Sequence, residues 1–415
     1  NFMKILITGH GARELAALQA IDEKDLHEVH VLPSSSASRA FERHLGIVPL
    51  EAQSWEQTVR TAREWQPDLV LVLDEQLPKN DALRQLREEG FQIFCPSEQA
   101  ADLTAERSKW MELAKTYGLP VPAFQKLKGR EEILQAAARK PGPWVFDLLD
   151  GSGRFHICYE EEEVQDLMEE WLSDNEQAEV LMTDYYDGIC FEVSCMVHDT
   201  ALLPIGAAVV QRGFYEQEND EEMKGLAAFT PLDAVKKQIL RQAVDDMLVP
   251  FVKAMSKEGV PFTGFLTGQF VWAGSLLKCV NLKAGLSECG GILSFMNLPM
   301  DPARAALALM EGETVENDLL QAMPACTALT VVWTPDNANP SALEVDEDFE
   351  GAFYPHHMQI EDNGRMEAGT GRTAFIAARG KTRHSAGRKV LEACSHIHGS
   401  GLSWRRDVGQ LISEH

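Results

Sequence analysis

The apolar positions of the first hundred residues alternate between two periods. Lys4 to Thr8 and Asp68 to Leu73 are short, nearly uninterrupted apolar runs, and His27 to Leu32 and Phe91 to Phe94 repeat the pattern. Between them the spacing becomes helical: near Arg13 to Ala20, over Trp55 to Trp65 with Trp55, Val59 and Ala62 on one face, and over Asp81 to Gly90. Apolar strands in alternation with helices predict a parallel sheet covered on both faces, with ligands at the carboxyl ends of its strands. This first domain is expected to span residues 1–102.

A helix from about Ala105 to Tyr117 leads into Gly118-Leu119-Pro120-Val121-Pro122, which is extended because a residue before proline is pushed out of the helical region. Strands at Pro143 to Phe146 and Phe155 to Tyr159 then flank Asp150-Gly151-Ser152-Gly153. An amphipathic helix at Glu162 to Leu172, with Val164, Leu167, Met168, Trp171 and Leu172 on one face, precedes a strand at Val180 to Thr183. Longer strands follow at Cys190 to Val197, Leu203 to Val210, Thr263 to Trp272 and Leu277 to Leu282, with a long helix from near Asp233. Asp301-Pro302 has the residue types of an N-cap and first helical position. Beyond about Ala325, strands at Ala328 to Trp333 and Thr373 to Ala378 and a helix at Ser385 to Ile397 complete the pattern. The expected domains are thus 1–102, 103–324 with a small lobe at 121–190, and 325–415.

A chain of 415 residues and 46.1 kDa is too long for one hydrophobic core, in agreement with this division. Against 38 Lys and Arg stand 64 Asp and Glu, a formal charge of -26. That field makes nucleic acid and anionic membrane poor partners, and opposes an anionic ligand unless cations are placed at its site. The acidic runs at Glu160 to Glu163, Glu216 to Glu222 and Asp346 to Glu350 read as solvated loops or helix starts. No uncharged run reaches the roughly 20 residues of a membrane span. Met3 is read as the initiator, and Met3-Lys4-Ile5-Leu6-Ile7 enters a strand rather than a signal peptide, so a cytoplasmic location is expected. The eight cysteines occur singly and read as buried free thiols rather than zinc ligands or disulfides. His356-His357 and His396/His398 have no partners at metal-ligand spacing and read as surface or core histidines.

Gly9-His10-Gly11-Ala12-Arg13-Glu14 lies between strand and helix, where backbone N–H groups and the helix dipole hold a phosphate, or where a tight turn holds nothing. The third glycine of a dinucleotide fingerprint is missing and no acidic residue closes the second strand, which argues against a nucleotide-binding oxidoreductase. Asp150-Gly151-Ser152-Gly153-Arg154 reads as a phosphate lid or as a hairpin turn. Further along come Phe94-x-Pro96, Gly118-Leu119-Pro120, Tyr185-x-Asp187-Gly188, Gly225-x-x-Ala228-Phe229-Thr230-Pro231, Thr263-Gly264-Phe265-Leu266 and Arg405-Arg406-Asp407-Val408-Gly409. In this order and spacing, from Met3 to Gly409, the chain resembles the phosphoribosylamine-glycine ligase family, ATP-grasp enzymes of purine biosynthesis. The resemblance implies an α/β protein: an N-terminal parallel-sheet domain, an ATP-grasp domain of two α+β lobes that sandwiches ATP between sheets, and a small C-terminal α+β domain. It also implies ATP and Mg as cofactors, a small-molecule substrate, and a monomer or weak dimer. The implied reaction joins glycine to phosphoribosylamine through a glycyl phosphate.

Carried over residue by residue, the resemblance places Gly9, Gly11, Arg13, Glu14, Ser34, Ser35 and Glu75 on the substrate side. Ser34 and Ser35 belong to Pro33-Ser34-Ser35-Ser36-Ala37, where the family has Pro-Gly-Asn-Ala-Gly. On the nucleotide side stand Arg107, Asp147, Ser152, Arg154 and Asp184. Arg107 matches a family lysine, but Asp147 and Ser152 stand where the family has two further lysines. The family's Glu-x-Asn metal strand is matched at Val280-Asn281-Leu282-Lys283, leaving Asn281 as a metal ligand beside the cation of Lys283. Arg212 falls where the family has Asp-His-Lys-Arg, and Glu288 keeps the acid of Arg-Phe-Gly-Asp-Pro-Glu; these two are the catalytic candidates. Phosphoryl transfer rests on positioning and on cations that neutralise developing charge. Losing one preorganised donor costs on the order of 3 kcal/mol in the transition state. The substitutions therefore imply a diverged, catalytically impaired member that binds a small phosphorylated or amino-acid-like ligand, or a protein partner. The alternative is an active ATP-dependent C–N ligase, joining glycine or another amino acid to phosphoribosylamine or a related amine, with Arg107, Arg154 or Lys283 as replacement cations.

Overall fold

A computed structural model describes residues 2–9, 11–22, 27–32, 55–73, 82–211, 226–230, 235, 237–317, 326–334, 341–356, 358–360, 365–369 and 371–410. The first domain runs β1 (Lys4–Thr8), α1 (Ala12–Asp22), β2 (Glu28–Leu32), α2 (Trp55–Trp65), β3 (Leu69–Val72), α3 (Ala82–Glu88) and β4 (Ile93–Phe94). Its four strands are parallel, in the order β2-β1-β3-β4. Alternate side chains leave the sheet on opposite faces. Ile5 and Ile7 pack with Leu15 and Leu18 of α1, while Leu6, Val70 and Val72 pack with Val59 and Ala62 of α2.

A further helix, α4 (Glu98–Ala105), precedes the one expected from about Ala105 to Tyr117, which is α5 (Arg107–Thr116). Glu106 between them takes extended backbone angles, φ -105° and ψ 118°, and the Ser108 hydroxyl donates to its carboxylate at 2.5 Å. The small lobe follows: β5 (Phe124–Lys128), α6 (Arg130–Arg139), β6 (Trp144–Leu148), β7 (Phe155–Cys158), α7 (Glu161–Trp171) and β8 (Glu179–Asp184). Its antiparallel sheet has the order β5-β8-β6-β7. Glu160 and Glu163 form a capping box that starts α7, so this acidic run is a helix start. Ile133, Trp144, Phe146, Val164 and Met168 fill the lobe's own core, while Leu181 on the other face joins the main core.

The rest of the chain builds one large sheet. In chain order come β9 (Ile189–His198), β10 (Ala201–Gln211), β11 (Ala227–Thr230), and α8 (Lys237–Gln242, continued through a π turn at Ala243–Leu248 into Val249–Lys257). Then follow β12 (Thr263–Ala273), β13 (Leu276–Ala284), α9 (Glu288–Asn297), α10 (Pro302–Met310), β14 (Cys326–Thr334), β15 (Ser341–Val345) and β16 (Ala352–Pro355). The chain closes with β17 (Met358–Ile360), β18 (Met366–Ala368), β19 (Gly371–Gly380), α11 (Arg383–Ser395) and β20 (Ile397–His398). Eight strands are hydrogen-bonded in the order β13-β12-β9-β10-β11-β14-β19-β16. The β11–β14 ladder therefore carries the sheet of the middle domain straight into the C-terminal one. Strands β17-β18-β15-β20 make a small separate sheet.

Domain contacts account for several of the motifs. Gly264 has φ +133°, and a Cβ there would lie 2.9 Å from Pro96, so the Thr-Gly-Phe-Leu segment needs glycine where it passes the end of the first domain. Asp301 caps α10 as expected, accepting from the N–H of Ala303 and Arg304. Its carboxylate also bonds His27 Nε2 at 2.8 Å, while Met3 N–H donates to His27 Nδ1 at 3.1 Å. Arg405 holds Asp407 bidentately at 2.5 and 2.8 Å, both nearly buried. Gln211 locks the same segment by donating to the carbonyls of Asp407 and Gln410 and accepting from Gly409 N–H. Six of the eight cysteines are buried; Cys190 is exposed and Cys326 half-buried, because both lie at or near strand ends.

Gly387 of α11 lies against this C-terminal segment so closely that a Cβ would overlap the Val408 carbonyl oxygen. Gly387→Ala is expected to lower stability by about 2–3 kcal/mol through overpacking against backbone, read as a shifted urea midpoint with unchanged slope.

Candidate functional site

Between the small lobe and the large sheet, the nucleotide-side candidates are engaged with one another. Arg107, at the first position of α5, pairs with Asp147 on β6 at 2.5 Å, each side chain only 15% exposed. Arg107 Nε is buried and has no hydrogen-bond acceptor. Asp184, at the end of β8, is held by the Lys140 ammonium. In the turn between β6 and β7, Asp150 accepts from Ser152 N–H at 2.8 Å and pairs with Arg154 at 3.2 Å. The Arg154 guanidinium also lies 6.0 Å from the Trp171 ring centre, so this turn is closed on its own lobe.

The metal-strand candidate Asn281 belongs to a polar row across three strands. Glu192 on β9, Gln269 on β12 and Asn281 on β13 stand directly opposite one another. Asn281 Nδ2 donates to Gln269 Oε1 at 3.2 Å, and Gln269 Nε2 to Glu192 Oε2 at 3.5 Å. Asn281 Oδ1 accepts from the next backbone N–H, Leu282, at 3.0 Å, and the Ser287 hydroxyl donates to Glu192 Oε1. The register slips here: Gln269 faces Asn281, but the adjacent Phe270 faces Cys279, leaving Val280 as the extra residue of a bulge. Cys279, two residues before Asn281, is thereby placed in the main core with Phe191 and Phe270, fully buried. Burial pushes its thiol up to about 12, opposed by the Arg107 charge. Among the described residues no group of three His, Cys, Asp or Glu is placed to hold a metal. Lys283 lies one pleat further on, opposite Thr267.

On the substrate side, Gly9 and Gly11 have φ +120° and +136°. A Cβ on Gly9 would lie 2.6 Å from the Glu14 carboxylate, and one on Gly11 2.6 Å from His356 Nδ1. Arg13 pairs with Glu14 at 2.7 Å and donates to the Leu286 carbonyl at 2.8 Å. Ala12 N–H donates to His356 Nδ1 at 3.3 Å, which leaves the imidazole proton on Nε2, 3.1 Å from Glu288 Oε1. Arg372 holds the other oxygen of Glu288. Burial alone would push the Glu288 carboxyl up, but the His356 hydrogen bond and the charges of Arg372 and Arg13 hold it well below the usual range. The glycine turn, the start of α9 and the C-terminal strands thus meet at one carboxylate.

Ser34, Ser35, Glu75, Arg212 and His357 lie outside the described residues. Five residues that sequence reasoning passed over belong to the site: Glu192, Gln269, Cys279, His356 and Arg372. Glu192 carried a signal, as a lone acid inside a buried strand, and Cys279 stands two residues before Asn281. The bonds of His356 to Ala12 and of Arg372 to Glu288 span 344 and 84 residues, and no local pattern foretells them.

The profile of the phosphoribosylglycinamide synthetase N domain matches residues 3–104, and that of the phosphoribosylglycinamide synthetase ATP-grasp (A) domain matches residues 106–284. The phosphoribosylamine–glycine ligase of Lactococcus lactis subsp. lactis is 23% identical, over 98% of this chain and 99% of its own length. That of Halalkalibacterium halodurans is 22% identical, over 98% and 96%. The crystal structure of the Thermotoga maritima phosphoribosylamine–glycine ligase superposes with a TM-score of 0.79 at 17% identity, covering 97% of this chain and 99% of that one. The biotin carboxylase domain of the Hydrogenobacter thermophilus 2-oxoglutarate carboxylase, solved with the magnesium salt of ADP, gives 0.71 at 14% identity, covering 97% and 92%. The fold is thus that of the ATP-grasp proteins, and with the two domain profiles spanning well over half of its length the chain belongs to the phosphoribosylglycinamide synthetase family, the phosphoribosylamine–glycine ligase type of purine biosynthesis.

Proposed function

We propose that this chain is a member of the ligase family that does not perform Mg-ATP-dependent ligation and acts by binding a small molecule. The pair Asn281 and Lys283 carries this reading: the resemblance puts the acid and the amide of the Glu-x-Asn metal strand at these two positions, opposite Gln269 and Thr267. A hard divalent cation requires oxygen ligands converging on one face of the strand. Here the acid's position is Asn281, a neutral amide whose oxygen accepts from the Leu282 N–H, and the amide's position is the cation Lys283. Glu192 is already bonded to Ser287 and Gln269. The nucleotide cation Arg107 is neutralised by Asp147. This donor set does not fit Mg-ATP, and no catalytic step is assigned through it. The charge of -26 supports a small-molecule partner over nucleic acid or anionic membrane, and a monomer or weak dimer in the cytoplasm completes the proposal. Among the described residues no helix is long and apolar enough to cross a membrane.

Calorimetric titration with Mg-ATP at millimolar concentration is expected to give no saturable heat. Two absent stabilising groups at about 10²–10³ in rate each, allowing for non-additivity, place glycine-dependent ADP release at least about 10³-fold below a competent ligase. Micromolar Mg-ATP binding with glycine-dependent ADP release, or growth of a purine auxotroph lacking the ligase, overturns the proposal.

On this reading Glu288 joins domains rather than acting on substrate. Glu288→Gln is expected to cost about 1.5–3 kcal/mol at neutral pH, the worth of hydrogen bonds to a charged group. Because the folded carboxyl titrates below its unfolded value near 4.3, the contribution is complete above that pH and fades as pH falls toward the folded value. Urea unfolding of both forms should therefore show a difference that shrinks below about pH 4; a difference constant with pH contradicts the assignment.

A further inference from the structure

We propose that Asp147 is a built-in substitute for a nucleotide phosphate, holding the small lobe closed on Arg107 without any ligand. The inference rests on the reading that Arg107 no longer serves Mg-ATP, and adds what it does instead.

Arg107 is fixed to the body of the molecule, since Trp110, Met111 and Ala114 of the same helix are fully buried in the main core. Asp147 is fixed to the small lobe, on a strand paired on both sides, with Phe155 of β7 and Leu181 of β8. Their 2.5 Å ion pair therefore crosses between lobes. The chain between them leaves at Pro120, whose carbonyl accepts from Cys279 N–H, so the root of the lobe is anchored beside the same thiol. The resemblance puts a lysine at each of these two positions, and two cations there would repel unless an anion lay between them. With one replaced by a carboxylate, attraction takes the place of repulsion and no anion is required. The buried Arg107 Nε, lacking any acceptor, marks the cost of the arrangement: without Asp147 the guanidinium would be an unpaired charge in a largely dry site. Closure that depends on ligand in a two-cation cleft is constitutive in this one.

Cys279 is fully buried under the closed arrangement, close enough to Arg107 to feel its charge, and serves as the reporter. Alkylation by a small neutral maleimide, quantified per cysteine by mass spectrometry, is expected to be slow in the unaltered protein. It should rise about tenfold in both Arg107→Gln and Asp147→Asn, the equivalent of one lost charge-assisted bond. Removing Arg107 takes away a cation that favours the thiolate, so a faster reaction in Arg107→Gln reports access rather than activation. The exchanged pair, Arg107→Asp with Asp147→Arg, should restore protection. Cys195, buried in the middle of β9, should stay protected in every variant. Unchanged Cys279 labelling in either single variant, failure of the exchange to restore it, or a parallel rise at Cys195 overturns the proposal. No nucleotide enters this assay, so its failure leaves the Mg-ATP titration untouched, and Mg-ATP turnover would sink the ligand reading without moving the labelling ratios.

Discussion

A charge carried into a protein interior has to meet its partner there, and in this molecule the partners come from other domains. Glu288 starts α9, yet its carboxylate is met by His356 and Arg372, 68 and 84 residues downstream, and through His356 by the backbone of Ala12 at the start of α1. The imidazole suits this place because its Nδ1 accepts on one side and its Nε2 donates on the other. A lysine would offer only donors and add a second cation beside Arg372. The same division of labour recurs at His27, which accepts from Met3 and donates to Asp301. Both histidines tie an N–H of the first domain to a carboxylate at the start of a helix in the second. The relative placement of the domains, and with it the shape of any cleft between them, depends on these buried pairs more than on apolar contact, which is less particular about geometry.

The overall charge takes on a different meaning in this light. A surface of -26 does not forbid an anionic ligand if the cleft holds free cations. Arg13, Arg107, Arg154, Lys140 and Arg372 are all near the site, and each is paired with a carboxylate of the chain itself. Burial makes the pairs of Arg13, Arg107 and Arg372 stringent: breaking one by supplying a competing phosphate leaves a carboxylate unpaired in its place. The cleft is close to neutral by internal compensation, which is the opposite of what phosphoryl transfer demands.

How far the sequence carried depended on the range of the interaction. The parallel sheet of the first domain was legible because β3 is wholly apolar, β1 is apolar between Lys4 and Thr8, and α2 keeps Val59 and Ala62 on one face. The cap at Asp301 was legible because it involves adjacent residues. The helix at Glu288–Asn297 was not: Gly290 and Gly291 have low helical preference, and glycine is required there because a Cβ on Gly290 would overlap the Glu192 carboxylate and one on Gly291 would lie 3.1 Å from Arg13. Likewise β5, with exposed Gln125, Lys126 and Lys128, lacks the apolar signature and is a strand because β8 pairs with it. In the site, the substitutions at Asp147, Ser152 and Lys283 were visible as types, but their consequences were not, because Arg107 and Asp147 meet only through tertiary structure.

Two substitutions, at Asn281 and Lys283, are enough to change a metal strand into a structural one. Two residues at i and i+2 share a face of a strand, and that shared face is what lets an acid and an amide converge on one cation. Asn281 and Lys283 keep that shared face, since they pair in register with Gln269 and Thr267 and the bulge falls before them, at Val280. An amide at position 281 brings no charge to hold a divalent cation, and an ammonium at position 283 would repel one. Gln269 then completes the change, since its amide supplies Asn281 and Glu192 with partners from within the sheet. A polar row that a cation would otherwise have to satisfy is satisfied by the protein alone.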